Sequence, residues 1–170
     1  MRKYFNIIFS LSLVLFFSSC IKNDNQVFTG SLVEFDATVL NSPAVGKTYP
    51  LLTRVPVGGT AVNTGNPSIS RTSGLIKFRV NLVGRQRSSD QTINYTVVAA
   101  ESTAVSGTHF TTPGSFLIPA NSSFGEVTVN VLNTGVSSTT PVDLVLELMN
   151  SGDVNASANY RFLGIRIAQQ

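Results

Sequence analysis

Residues 75–83 read Leu-Ile-Lys-Phe-Arg-Val-Asn-Leu-Val, and this stretch decides the fold. Apolar residues stand at every second position, and polar or charged residues stand between them: Ile76, Phe78, Val80 and Leu82 against Lys77, Arg79 and Asn81. Successive side chains of a β-strand point to opposite faces, so the pattern predicts a strand with one buried face and one wet face. Such strands are typical of antiparallel sheets.

The same alternation recurs outward from this stretch in both directions. It predicts further strands over residues 31–40, 92–100, 115–118, 125–132, 142–149 and 160–168. No helical period competes with it. Turn-rich segments separate the strands, so we predict an all-β protein: an antiparallel immunoglobulin-like β-sandwich of about seven to eight strands. A barrel is the alternative all-β solution.

The segment from Asn41 to Gly74 is rich in proline and glycine and fits this pattern less well. Residues 49–57 are predicted to form the eighth strand at a sheet edge, where proline is tolerated. Residues 58–74 are predicted to form a mobile loop. Long loops on rigid scaffolds either carry binding function or only connect elements, and the sequence leaves both open.

The amino terminus has the layout of a secretory signal: Arg2 and Lys3, an apolar run over residues 4–17, then small residues. The run is shorter than the roughly 18 apolar residues of a membrane span. Phe17-Ser18-Ser19-Cys20 resembles the bacterial lipobox, which implies cleavage before Cys20 and lipid on its thiol. Because Cys20 is the only cysteine, it has no partner for an internal disulfide.

We therefore expect a signal peptide over residues 1–19, a lipidated tether over 20–30 and one domain over 31–170. The expected location is the cell envelope, anchored at the outer membrane, with periplasmic and surface-facing orientations both open. Without Arg2 and Lys3, the 12 basic residues fall to ten, against nine acidic residues. No basic stripe remains to bind nucleic acid.

Residues 94–150 carry motifs that resemble a Calx-beta domain. In order they are Asn94-Tyr95-Thr96-Val97, Ser102-Thr103-Ala104, Gly107-Thr108-His109-Phe110, Gly114-Ser115-Phe116-Leu117-Ile118-Pro119-Ala120, Glu126-Val127-Thr128-Val129-Asn130-Val131 and Asp143-Leu144-Val145-Leu146-Glu147-Leu148. The resemblance implies an immunoglobulin-like sandwich. Calcium-binding members use clustered carboxylates, but here His109 stands at the aspartate position and Leu132-Asn133-Thr134 replaces an acidic pair. We therefore predict that the calcium ligands are lost.

No catalytic constellation, metal site or cofactor motif is found, so we do not expect an enzyme. His109 lacks the partners of a triad or a zinc site. Glu34 and Asp36 share a strand face, which a solvated surface explains as well as acid–base catalysis does. Tyr160 and Phe162 are predicted to face outward, either contacting a ligand or packing under residues 41–74.

Three functions follow in order of preference. The first is a non-catalytic module that binds an envelope protein or glycan, with contacts expected at Tyr160, Phe162 and His109. The second is a structural accessory subunit of an envelope complex, and the third is a hydrolase.

Overall fold

The structure is a computed structural model that describes residues 28–36 and 42–170. The predicted signal segment, Cys20 and the tether as far as residue 27 lie outside the described residues, as do residues 37–41. Within the described ranges, no helix has the length and apolar character needed to cross a membrane.

Ten β-strands form the framework of the described chain. They are β1 (Ser31–Phe35), β2 (Leu51–Leu52), β3 (Leu75–Gly84), β4 (Gln91–Val97), β5 (Phe110–Thr111), β6 (Ser115–Ile118), β7 (Phe124–Val131), β8 (Val142–Leu148), β9 (Asn155–Ala156) and β10 (Phe162–Ile167). All seven longer strands fall where the alternation predicts them.

The strands form two five-stranded sheets that face each other. Sheet 1 has the order β5-β7-β3-β1-β9, and sheet 2 has the order β2-β10-β8-β4-β6. The longer strands pair antiparallel, for example β3 with β7 and β8 with β10. The predicted all-β sandwich is thus confirmed. Two short strands differ from the antiparallel prediction, since β9 pairs parallel to β1 and β2 pairs parallel to β10.

The core lies between the sheets and is built from the apolar positions of the alternating pattern. Its largest fully buried side chains come from both sheets. On sheet 1 they include Phe78 and Phe110, and on sheet 2 they include Ile93, Ile118, Leu144, Leu146, Leu148, Ile165 and Ile167. Burying one such side chain contributes about 1.5–3 kcal/mol relative to leaving it in water. This core holds the strand ends, and thus the surface loops, in fixed positions.

Two strands, β4 and β10, are shorter than predicted, and for β1 part of the predicted range lies outside the described residues. β1 ends at Phe35, although Asp36 N still donates to Arg79 O of β3 at 3.1 Å, and residues 37–41 lie outside the described residues. β4 ends at Val97, since the backbone turns where Glu101 N bonds to Val98 O. β10 begins at Phe162, so Tyr160 lies in the preceding turn and not on the strand.

Residues 42–74 are less irregular than their composition predicts. The predicted edge strand is present at the edge of sheet 2, but only as the two residues of β2. The prediction of a mobile loop over 58–74 is wrong for its second half. Ile69 is 1% exposed within the core. Its backbone N donates to Thr53 O at 2.9 Å, which fixes residues 67–69 beside β2.

The sandwich has two distinct ends. At the tether end, Ser31 of β1 pairs with Gly84 of β3, so residues 28–30 enter here. At the far end, β3 begins at Leu75 and β10 finishes at Ile167. At about 3.3 Å per residue, the ten residues of β3 separate the two ends by roughly 30 Å.

Candidate functional site: a polar groove at the far end

The structure does not bring the three predicted contact residues together. His109 precedes β5 at the edge of sheet 1, whereas Phe162 begins β10 in sheet 2. The Nδ1 atom of His109 accepts a hydrogen bond from Val105 N at 2.9 Å. The imidazole therefore helps to close the turn that leads into β5.

Phe162 is half-buried by the fold itself. Its ring lies 6.1 Å from the ring of Tyr49, measured between centroids. The guanidinium carbon of Arg161 lies 4.9 Å from the centre of the same ring. Tyr49 belongs to the segment 41–74, so the contact agrees with the predicted packing alternative. Tyr160, in the turn, accepts a hydrogen bond from Phe35 N through its carbonyl.

One interpretation of the sequence places Glu34 and Asp36 on a solvated surface. The structure contradicts this for Asp36. Its side chain is only 3% exposed and lies 3.9 Å from Arg79 Nε. It accepts hydrogen bonds from Gly59 N at 3.1 Å and from Asn81 Nδ2 at 3.3 Å. Burial raises the pKa of Glu34; a hydrogen bond with Ser157 opposes this shift, and the charge of Asp36 adds to it. Asp36 thus fastens residue 59 to the outer face of sheet 1.

Within residues 28–36 and 42–170, no three His, Cys, Asp or Glu side chains are grouped to hold a metal ion. Glu101 lies within the stretch 94–150 that resembles a Calx-beta domain. It accepts hydrogen bonds from Tyr49 Oη at 2.5 Å and from Lys47 Nζ at 3.1 Å.

Most basic side chains of the described residues form ion pairs, but a few arginines do not. Six cation–carboxylate pairs occur in the described chain: Lys47–Glu101, Lys77–Glu126, Arg79–Asp36, Arg87–Asp153, Arg161–Glu147 and Arg166–Asp143. Among the described residues, Arg54, Arg71 and Arg85 are the basic residues without a carboxylate within 4.0 Å. Arg54 and Arg71 lie at the far end, and Arg85 lies at the tether end.

An open polar groove of about 300 Å³ lies at the far end, beside the last residues of β10. Four chain segments form it, and most of their side chains carry hydroxyl, amide or guanidinium groups. The lining residues are Thr53, Arg54, Ser68, Ile69, Ser138, Thr139, Pro141, Arg166, Ala168, Gln169 and Gln170. Backbone bonds hold the segments together, including Ala168 N to Ile69 O and Ser138 N to Gln169 O.

Two arginines give the groove a surplus of hydrogen-bond donors. Arg54 Nη1 donates to the carbonyl of Asn66 at 2.6 Å, which fixes the guanidinium but leaves its charge unpaired. Arg166 donates from Nε and Nη2 to both carboxylate oxygens of Asp143, each at 2.8 Å. These bonds raise the pKa of Arg166 and keep it charged. A guanidinium has five N–H donors, so both arginines retain donors for a ligand.

A second groove lies at the tether end, lined by Phe28 and residues 29–31 together with Arg85, Arg87 and Asp153. Here Arg87 is already engaged, because its Nη2 donates to Asp153 at 2.7 Å and to Ser31 Oγ at 3.0 Å. Arg87 thus holds the first strand to the loop that carries Asp153, whereas Arg85 has no carboxylate within 4.0 Å among the described residues.

Sequence reasoning missed the far-end groove because its lining comes from segments about 115 positions apart, joined only by the fold. Arg54 lies within the predicted edge strand 49–57, and Arg166 lies within the predicted strand 160–168. The sequence predicts a strand around each arginine, but nothing in it predicts that the two arginines line the same groove.

Comparison with known structures supports the same fold. The apo form of the Calx CBD1 domain is similar, with 17% identity and a TM-score of 0.50, over 60% of this chain and 88% of that domain. A Bacteroides ovatus protein of unknown function gives a TM-score of 0.54 at 10% identity, over 83% of this chain. The match covers 52% of that protein, about half its length. At such identities the likeness shows the fold alone.

At the sequence level, no curated protein matches the chain. The profile of one family matches residues 67–168, from the segment beside β2 to the end of β10. The match covers more than half of the sequence. Of the four segments that line the groove, it includes two completely. The chain belongs to the family described as a domain of unknown function, DUF4843.

Proposed function

We propose that the protein is a lipid-anchored, non-catalytic binding module of the cell envelope. In this proposal, lipid on Cys20 holds the chain at the outer membrane, and the far-end groove binds a glycan. Tyr160, Phe162 and His109 then contribute to folding and not to ligand contact.

The observation that carries the proposal is the placement of the groove relative to the tether. Residues 28–30 enter β1 at one end of the sandwich, and the groove lies at the other end, roughly 30 Å away along β3. A domain anchored through residue 20 would therefore hold its groove away from the lipid surface. That arrangement suits capture of a ligand from the surrounding medium.

The chemistry of the groove supports binding over catalysis. Its lining includes hydroxyls, amides and two guanidiniums. The adjacent carboxylate, Asp143, is held by two hydrogen bonds from Arg166, so it is not placed as a general base. Glycan sites combine such donors and acceptors to match the hydroxyl groups of a sugar.

Membrane attachment is tested with Cys20→Ser. The unsubstituted protein should fractionate with the membranes, and the variant should appear in the soluble fraction, because two or more acyl chains are needed for stable anchoring. A variant that stays with the membranes would remove the anchor from the proposal.

Glycan binding is tested with the full-length protein in detergent on a glycan array. Ser68→Trp places a bulky ring in the groove, and Ser89→Trp places the same ring in the β3–β4 loop at the tether end. We expect Ser68→Trp to abolish binding and Ser89→Trp to leave it unchanged. Binding that survives Ser68→Trp, or no glycan bound by the parent protein, would overturn the groove's role.

A further inference from the structure

We infer that the far-end groove selects a carboxylate-bearing glycan, such as a uronate oligosaccharide; this inference rests on the proposed binding function. It goes further because the charge of the ligand follows from a distinct observation, the pairing state of the arginines.

The far end of the sandwich carries more arginines than carboxylates that pair with them. The far end holds Arg54, Arg71 and Arg166, and Asp143 pairs with Arg166. Arg71 adjoins the groove, since its backbone N donates to Ala168 O at 2.8 Å, and its Nη1 donates to Asn133 Oδ1. Arg54 and Arg71 have neutral partners, so the far end retains positive charge although the predicted mature chain is nearly neutral.

The guanidinium of Arg54 is held in a fixed orientation. Arg54 is half-buried, and the Asn66 carbonyl fixes one of its terminal nitrogens. Among the described residues, no hydrogen bond engages its Nε or its second terminal nitrogen. A guanidinium held in this way presents parallel donors that match the two oxygens of a carboxylate. A partly buried charge with only neutral partners also gains more from an anionic ligand than an exposed one does.

The surface of the groove beside Arg54 is rich in hydroxyl and amide groups. Ser68, Ser138 and Thr139 supply hydroxyls along the groove, and Gln170 supplies an amide. These groups suit the hydroxyls of a sugar ring beside its carboxylate. A groove without a charged anchor would suit a neutral glycan equally well, so Arg54 distinguishes the two ligand classes.

The experiment compares two probes that differ only in charge. Calorimetric titration of the full-length protein in detergent would use trigalacturonic acid and its fully methyl-esterified form. We expect the acid to bind, the ester to bind at least about tenfold more weakly, and the affinity for the acid to fall as salt rises.

Matched variants assign the effect to the groove. Arg54→Gln should weaken binding of the acid by about tenfold or more, since hydrogen bonds to charged groups are the strong ones. Arg54→Lys should recover part of the loss by restoring the charge without the fork. Arg85→Gln removes the same charge from the tether end and should leave the affinity unchanged. Equal thermal melting of the variants confirms that they fold.

The outcomes separate this inference from the proposed function. Equal binding of acid and ester, with loss in Ser68→Trp, would overturn the carboxylate preference and leave the glycan-binding groove standing. An unaltered affinity in Arg54→Gln would overturn the role of Arg54. Tighter binding of a hexaglutamate peptide than of trigalacturonic acid would replace the glycan with an acidic protein and overturn the inference.

Discussion

The α-carbon of Gly125 lies directly against the carbonyl oxygen of Leu117: a β-carbon at position 125 would stand 2.5 Å from that oxygen. Gly125 is in β7 of sheet 1, and Leu117 is in β6 at the edge of sheet 2. The missing side chain is therefore what allows the two sheets to approach at this corner.

Gly125→Ala should destabilise the fold. The new methyl group meets a backbone oxygen and, at 2.9 Å, the ring of Phe116, so strands must shift. Overpacking of this kind costs about 1–3 kcal/mol, to be read from urea unfolding. Gly58→Ala is the control, because its new β-carbon would meet Arg79 Cδ at an ordinary 3.6 Å. Equal stability of Gly125→Ala and the parent would show that the corner relaxes without cost.

Asp36→Ala should also lower stability, for an electrostatic reason. It removes the acceptor of Gly59 N and Asn81 Nδ2 and the carboxylate beside Arg79. Hydrogen bonds to a charged group contribute about 1.5–3 kcal/mol, and we expect a loss of that order. Asp153→Ala breaks the Arg87 pair, in which the aspartate is 69% exposed, and should cost less than about 1 kcal/mol. Chemical denaturation compares the two, and a similar small loss in both would contradict the fastening role of Asp36.

Tyr49 should make stability fall at alkaline pH. Burial raises its pKa, and the hydrogen bond to Glu101 adds to the shift. As pH rises above about 10, the ordinary tyrosine pKa, the unfolded state loses its proton before the folded state does. The contribution of Tyr49 to the free energy of unfolding is therefore complete below about pH 10 and is lost as the pH rises towards the pKa of the folded state.

Ultraviolet absorbance of phenolate measures this effect. The folded protein should show a late ionisation step that Tyr49→Phe removes and Tyr160→Phe keeps. The decline of unfolding free energy above about pH 10 should also be shallower in Tyr49→Phe. A late step that persists in Tyr49→Phe would assign it to another residue.

Calcium should not bind tightly. His109 stands where the Calx-beta resemblance expects an aspartate, and Glu101 is engaged by Tyr49 and Lys47. Hard cations need several oxygen ligands, usually with more than one carboxylate. Calorimetric titration with calcium should show only dilution heats, with the melting temperature unchanged. A saturable isotherm would show that other oxygens replace the missing carboxylates.

The sequence predicts the framework well because the alternating pattern is local. Every second residue of β3 is apolar, so its register against the core follows from the sequence alone. Val145 shows where this reasoning stops. By alternation with Leu144 and Leu146 it lies on the outer face of β8, but it is only 1% exposed. Its N–H donates to Ser102 Oγ, in the segment that follows β4. Loop coverage of a sheet face has no period for the sequence to display.

The candidate site is less predictable for the same reason. Packing of Phe162 under residues 41–74 is one of the two predicted alternatives, but the sequence does not identify its partner. Tyr49 lies 113 positions away, and parallel pairing of β2 with β10 brings the two rings together. Arg54 carries no local mark at all. Its significance depends on which carboxylates the fold assigns to the other arginines.

Short strands at the sheet margins affect how copies of the domain coexist. β5 and β9 border sheet 1, and β2 borders one side of sheet 2, each with two residues. At the fourth margin, the Leu117 carbonyl of β6 points at Gly125 of β7. Long exposed margins would let neighbouring molecules add strands to one another and grow into fibrils. Edge strands of two residues offer a neighbouring molecule little backbone to pair with, so we expect crowded copies of the domain to remain separate molecules.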